Sequence, residues 1–259
     1  MKSKYRFPES RIATIDICDI SKIKNHIAVM AEWDVTDIRQ EIKKLKTDND
    51  KSKYYSFNAW LIYRIAQATY KHRQLASYHT KKREICQFNK TNISVIIEKV
   101  VENKRVPIPY VITSADSKSP QQIYREIEEA KQCLMQNQEK VVGKKMSFFE
   151  KTYYKMPGII RRAIWRAILK KPNYCFTQMG NVSVTSLLGT GSLSASSWFI
   201  HKSIHPLSIG IGSLTKKPIV IDNNIEIREI LNVTILMDHN VADGVQMSRF
   251  VKDLIHTSS

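Results

Sequence analysis

Near its C-terminus the chain changes from one spacing of apolar residues to another, and a histidine stands at the change. Asn232 to Leu236 is a short run rich in β-branched side chains, the pattern of a buried strand. From Val245 onward, Met247, Phe250, Val251, Leu254 and Ile255 recur at helical spacing, so a helix closes the chain. Between them lies Met237-Asp238-His239-Asn240-Val241-Ala242-Asp243-Gly244. His239 therefore sits where a strand ends and a loop begins. Imidazole is the side chain best suited to moving a proton near neutral pH, and a strand end holds it in a fixed direction. Taken alone, His239 is equally a loop histidine satisfied by its neighbours.

The chain has 259 residues, enough to bury a sizeable core as one large or two small domains. No apolar run approaches the roughly 18 residues that span a bilayer. The basic start, Met1 to Pro8, has no apolar segment after it and does not read as a secretory signal. Cys18, Cys86, Cys133 and Cys175 are scattered, without a CxxC pair, which argues against a zinc site and fits a reducing cytoplasm. The net charge of +17 suits a polyanion: nucleic acid, an anionic membrane surface, or a phosphorylated cofactor such as coenzyme A. A solvated basic surface would look the same, so charge alone does not choose.

Ile12 to Cys18 alternates weakly, as an edge strand would, and Ile27 to Trp33 is a stronger strand. Asp34-Val35-Thr36-Asp37 then starts a helix with Ile38, Ile42 and Leu45 inward. Thr47 to Ser52 is a polar loop, and Ser56 caps a core helix through Thr69. His72 and His79 have no ligand set around them and read as surface residues. Asn92 to Val101 and Val106 to Ile112 are two strands, the second marked as an edge or bulge by Pro107 and Pro109. Ser119-Pro120 opens a long polar helix. In the basic segment 144–172, which includes Phe148 and Phe149, Ile160, Ile164, Trp165, Ile168 and Leu169 make one helical stripe. Arg161, Arg162, Arg166 and Lys170 lie largely off it. Such a helix packs on the core with its arginines in water, or lies in a membrane interface; the first is the expectation. Gly180 to Gly189 reads as a hydroxyl-rich strand with Ser183 and Thr185 on one face, and His205 to Leu214 as a further strand. His201 and His205 have no acidic partner at short spacing.

His239-x-x-x-Asp243-Gly244 resembles the active-site signature of the chloramphenicol acetyltransferase-like superfamily. The nearer likeness is to the catalytic domain of the acyltransferase component of 2-oxo acid dehydrogenase complexes. Three further stretches resemble that family in the same order: the strand, Asp-Val-Thr turn and helix at 27–45, the Val/Pro/Ile strand with Ala115-Asp116-Ser117-Lys118-Ser119, and Gly180 to Gly189. The segment 144–172 departs from the complex enzymes and places the chain among stand-alone relatives.

The resemblance implies an α+β fold, a two-layer sandwich of helices on a mixed β-sheet, in a single catalytic domain over residues 1–259 with an insertion at about 144–172. It implies a homotrimer with each active site between two subunits. By the same resemblance His239 is the general base, Thr185, with Ser183 beside it, donates to the oxyanion, and Asp243 and Gly244 shape the loop. Asp243 would pair with an arginine, for which Arg11 is a candidate by position. The substrate implied is an acyl-CoA with no metal, and the acceptor is open. No lipoyl or subunit-binding domain is expected in this chain, so a lipoyl-linked role would need a separate carrier protein. Two other classes fit some features: a catalytically silent trimeric scaffold, and a binder of nucleic acid or anionic membrane. No common nucleic-acid-binding motif supports the last.

Overall fold

The computed structural model describes residues 7, 10–47, 55–80, 83–101, 104–136, 152–188 and 195–256. The Thr47–Ser52 loop, apart from Thr47 itself, and the Phe148–Phe149 part of the insertion lie outside these residues, as does Gly189.

A six-stranded mixed sheet carries the molecule. Its strands are β1 (His26–Asp34), β4 (Ile93–Val101), β5 (Lys104–Ile112), β6 (Val182–Ser186), β7 (Leu207–Ile221) and β8 (Asn224–Asp238). A separate two-stranded ribbon is formed by β2 (Tyr78–His79) and β3 (Ile85–Cys86). The order in the large sheet is β1-β8-β7-β6-β4-β5. Only the β4–β6 and β6–β7 pairs are parallel. β5 is an edge, as its two prolines predict, because an edge strand can lack N–H donors on its open side.

Seven helices are described: α1 (Ser10–Ser21), α2 (Thr36–Thr47), α3 (Phe57–Lys71), α4 (Pro120–Gln136), α5 (Gly158–Ile168), α6 (Pro172–Met179) and α7 (Gly244–Ile255). α3 is the core helix. Ser56 caps it by accepting from the Ala59 amide, and Trp60, Leu61, Ile65 and Ala68 are buried along it. They meet a sheet face made by alternate residues, among them Ile93, Val95, Val184, Ile209, Val233 and Ile235. The opposite face of the central strands bears Ser183, Thr185, Ser208, Gly210, Asn232 and Thr234, and the strap 195–206 crosses it.

Two sequence expectations are corrected. Ile12 to Cys18 is helical, not an edge strand. The stripe on α5 does not enter the core: none of its residues is fully buried, Ile159 is 77% exposed, and the helix rests on α1. Nor is Arg161 in water. It forms an ion pair with the fully buried carboxylate of Asp16 on α1, Nε to Oδ2 at 2.6 Å, and Tyr153 donates to the same oxygen at 2.7 Å. A buried carboxylate without such partners would cost several kcal/mol, so this contact fixes the insertion on α1.

Candidate active site

β8 ends at Asp238, and His239 leaves the sheet into a short loop before α7. The loop is clamped from the turn between α1 and β1. Lys24 donates to Asp238 Oδ2 at 2.9 Å, the His239 amide donates to Asn25 O at 2.9 Å, and Asn25 Nδ2 donates to Asn240 Oδ1 at 3.0 Å. Within the loop, Asp238 Oδ1 accepts from the Asn240 amide and side chain.

The His239 ring is exposed, and its Nδ1 lies 2.8 Å from Ala242 O. A carbonyl can only accept, so a neutral imidazole here carries its proton on Nδ1. Nε2 is left as a bare lone pair facing outward, the form a general base needs.

Asp243 is the N-cap of α7. Its side chain accepts from the Gln246 amide at 3.0 Å, and the Gln246 side chain accepts from the Asp243 amide at 2.9 Å, a capping box. Among the ion pairs of the described residues none joins Asp243 to an arginine, and Arg11 is exposed; the ion pair at this loop is Lys24–Asp238. Gly244 is the first residue of α7, and a Cβ there would meet nothing within 4 Å.

Thr185 and Ser183 share the strap-covered sheet face. Thr185 is level with Gly210 of β7, which is level with Thr234 of β8. His239 lies five residues beyond Thr234, roughly 17 Å along the strand direction and ~10 Å across from Thr185. One subunit therefore does not bring His239 and Thr185 together.

Ser183 belongs to a different arrangement. His205 is driven to a pKa of about 4 by burial, so its ring is neutral, and its Nε2 lies 2.9 Å from Met179 O, which fixes the proton there. Its Nδ1 must then accept from Ser203 Oγ at 3.3 Å. With that proton used, Ser203 accepts from Ser183 Oγ at 3.2 Å, and Ser183 accepts from Ser208 Oγ at 2.5 Å. Ser208 in turn accepts from His201 Nε2 at 2.5 Å. The Met179 carbonyl thus orients the whole chain, and Ser183 has no proton left for an oxyanion. Of the two expected hydroxyls, Thr185 is the one not engaged in this chain. Sequence spacing gave no sign of the relay, because its members come from four segments.

Across the sheet face, Gly210 is the position that lets the strap approach: an added Cβ would come within 2.9 Å of His201 Nδ1 and 3.2 Å of Phe199. Gly180, at φ +77, allows another close approach, since a Cβ there would sit 2.5 Å from Asn92 O. Among the described residues no three acidic, histidine or cysteine side chains converge as a metal site.

A mixed sheet with helices on one face and a tautomer-fixed histidine at a strand end define an acyltransferase-type domain, and the sequence matches the same class. Residues 19–199 and 178–257 match the model of the 2-oxoacid dehydrogenases acyltransferase (catalytic domain) family, to which the chain belongs. It is an α+β protein of the chloramphenicol acetyltransferase-like fold. A probable dihydrolipoamide acetyltransferase from Listeria monocytogenes superposes with TM-score 0.67 at 24% identity, over 98% of this chain and 92% of that one. The dihydrolipoamide acetyltransferase of Azotobacter vinelandii gives 0.68 at 14% identity, over 97% and 90%. A chloramphenicol acetyltransferase gives 0.52 at 10%, over 97% and 98%. No curated protein matches the sequence at a significant level.

Proposed function

We propose that the chain moves an acyl group between a coenzyme A thioester and a thiol or hydroxyl acceptor, with His239 as general base. One observation carries this reading: the Ala242 carbonyl holds the His239 proton on Nδ1 and leaves Nε2 exposed as an acceptor. In the reaction Nε2 removes the acceptor's proton as its oxygen or sulfur attacks the thioester carbonyl. Thr185 donates a hydrogen bond to the oxyanion, a contact worth ~3 kcal/mol in a preorganised site. The tetrahedral intermediate then collapses, the C–S bond breaks, and His239 returns the proton to the leaving thiolate. The Azotobacter enzyme was studied for the roles of a serine, a histidine and an asparagine in its mechanism, the last two four residues apart. His239 and Asp243 keep that spacing.

The separation of Thr185 from His239 supports a site shared between copies, and so a homotrimer in which one subunit supplies the histidine and its neighbour the hydroxyl. The β7–β8 hairpin offers a surface for such contact. Beyond the strand β1 its outer face shows Val220, Ile225 and Ile227, 69 to 76% exposed, beside Pro218. An apolar patch of this kind on a small protein marks an interaction site. Any lipoyl carrier would be a separate protein. The setting is a reducing cytoplasm, where Cys18, Cys86 and Cys175 stay free thiols.

Calorimetry with coenzyme A and short acyl-CoAs at physiological salt tests the reading, against a control protein of matched basic charge. Saturable binding of one ligand per subunit, absent from the control, is expected. No binding to folded protein would sink the reading and favour a silent scaffold.

A further inference from the structure

The directional chain that ends at His201 leaves an acceptor without a donor. His201 Nε2 carries the ring proton and gives it to Ser208, and burial lowers the His201 pKa to about 4, so Nδ1 stays bare. Nδ1 is buried, lies over Gly210, and has no hydrogen-bond partner. Level with Gly210 on β8 is Thr234, whose Oγ1 is also buried and unpartnered. Level with it on β6 is Thr185. One row across the sheet face therefore sets a bare nitrogen acceptor and a spare hydroxyl beside the proposed oxyanion donor. Buried polar atoms are nearly always paired, so two orphans facing one glycine call for a group that completes both.

A hydroxyl does so, donating to His201 Nδ1 and accepting from Thr234 Oγ1. An alkyl group does neither. We propose that His201 and Thr234 read a hydroxyl on the acyl group being transferred, so that the site prefers hydroxyacyl thioesters to plain alkyl ones. Thr185 meets the carbonyl oxygen, and Gly210 is one strand spacing away, about 4.8 Å. That span matches a hydroxyl on the third acyl carbon. The idea rests on the acyl-CoA reading above and specifies its substrate class. The strap 195–206 must lift by about a side chain's width to admit the group.

The test compares 3-hydroxybutyryl-CoA with butyryl-CoA by calorimetry, without acceptor, on wild type and on Thr234→Val. Valine keeps the threonine's shape and removes the hydroxyl alone, so the fold is not at issue. Wild type should bind the hydroxyacyl thioester about tenfold more tightly, the size of one buried hydrogen bond, and the variant should lose most of that preference. Nitrogen NMR of the wild-type imidazoles should show His201 protonated on Nε2 only. Equal affinities in wild type are what a permanently trapped water bridging the same atoms would give, and they overturn the proposal while leaving the acyl-CoA reading intact. A proton on Nδ1 overturns it too. Binding of neither thioester overturns both readings.

Discussion

Lys24 Nζ and Asp238 Oδ2 meet at 2.9 Å although 214 residues separate them in sequence, and both are nearly or fully buried. Asp238 immediately precedes His239, and Asn25, next to Lys24, accepts the His239 amide proton. This single turn therefore sets the position of the base. Lys24→Met would strand a buried carboxylate, which costs ~3–5 kcal/mol in comparable buried pairs. Urea denaturation should show a loss of that order for Lys24→Met and a smaller loss for Lys24→Met combined with Asp238→Asn. Equal losses in the two variants would mean that the pair does not hold the loop electrostatically.

Ser183 and Thr185 share a face and differ in what their protons do. Ser183→Ala interrupts the chain between Ser208 and Ser203, leaving a buried hydroxyl unpaired at a cost of ~1–3 kcal/mol. Its turnover, once folded, should remain near wild type. Thr185→Ala should leave stability nearly unchanged and lower kcat by about a hundredfold with little change in KM, as loss of an oxyanion donor does. If Ser183→Ala shows the larger kcat effect at unchanged stability, the two assignments exchange.

Much of this was legible in the sequence, and the rest was hidden for identifiable reasons. The strand, the His239 loop and α7 follow from two clean periodicities, and Ser56 announced α3. α1 was obscured because its inner stripe runs Ile12, Asp16, Ile20, with a charge in the middle that breaks the apolar pattern. The partner that makes Asp16 tolerable, Arg161, is 145 residues away. The same distance problem hid Lys24 as the anchor of Asp238, and the hydroxyl chain from His205 to His201. Local spacing reports elements; buried polar pairs are settled by topology.

The two buried histidines make stability depend on pH. Burial lowers both His201 and His205 to about 4, against an ordinary value near 6.5 in the unfolded chain. Between those values the unfolded chain binds protons that the folded protein refuses. Stability is therefore full above about pH 6.5 and falls as pH drops toward 4, by on the order of a few kcal/mol for the pair. Urea midpoints from pH 7.5 to 4.5 should decline accordingly, and His201→Phe should flatten the decline. A variant as steep as wild type would show that His201 is not one of the groups responsible.

The separation of His239 from Thr185 within one subunit has its sharpest consequence in mixed oligomers. His239→Ala should abolish transfer, since loss of a general base costs ~10²–10⁴-fold, and exposure of the ring makes a large stability change unexpected. Thr185→Ala should be severely impaired. If each site draws its base from one subunit and its hydroxyl from the next, co-expression of the two variants rebuilds some sites with both groups intact. Random assembly makes about a quarter of the head-to-tail interfaces complete, because half the subunits carry each group. Activity should then rise well above either variant alone, toward about a quarter of wild type. Mixed oligomers confirmed by native mass spectrometry but no more active than the parents would place both groups of each site in the same subunit. The spacing along β8 would then have to be closed by a rearrangement of the His239 loop.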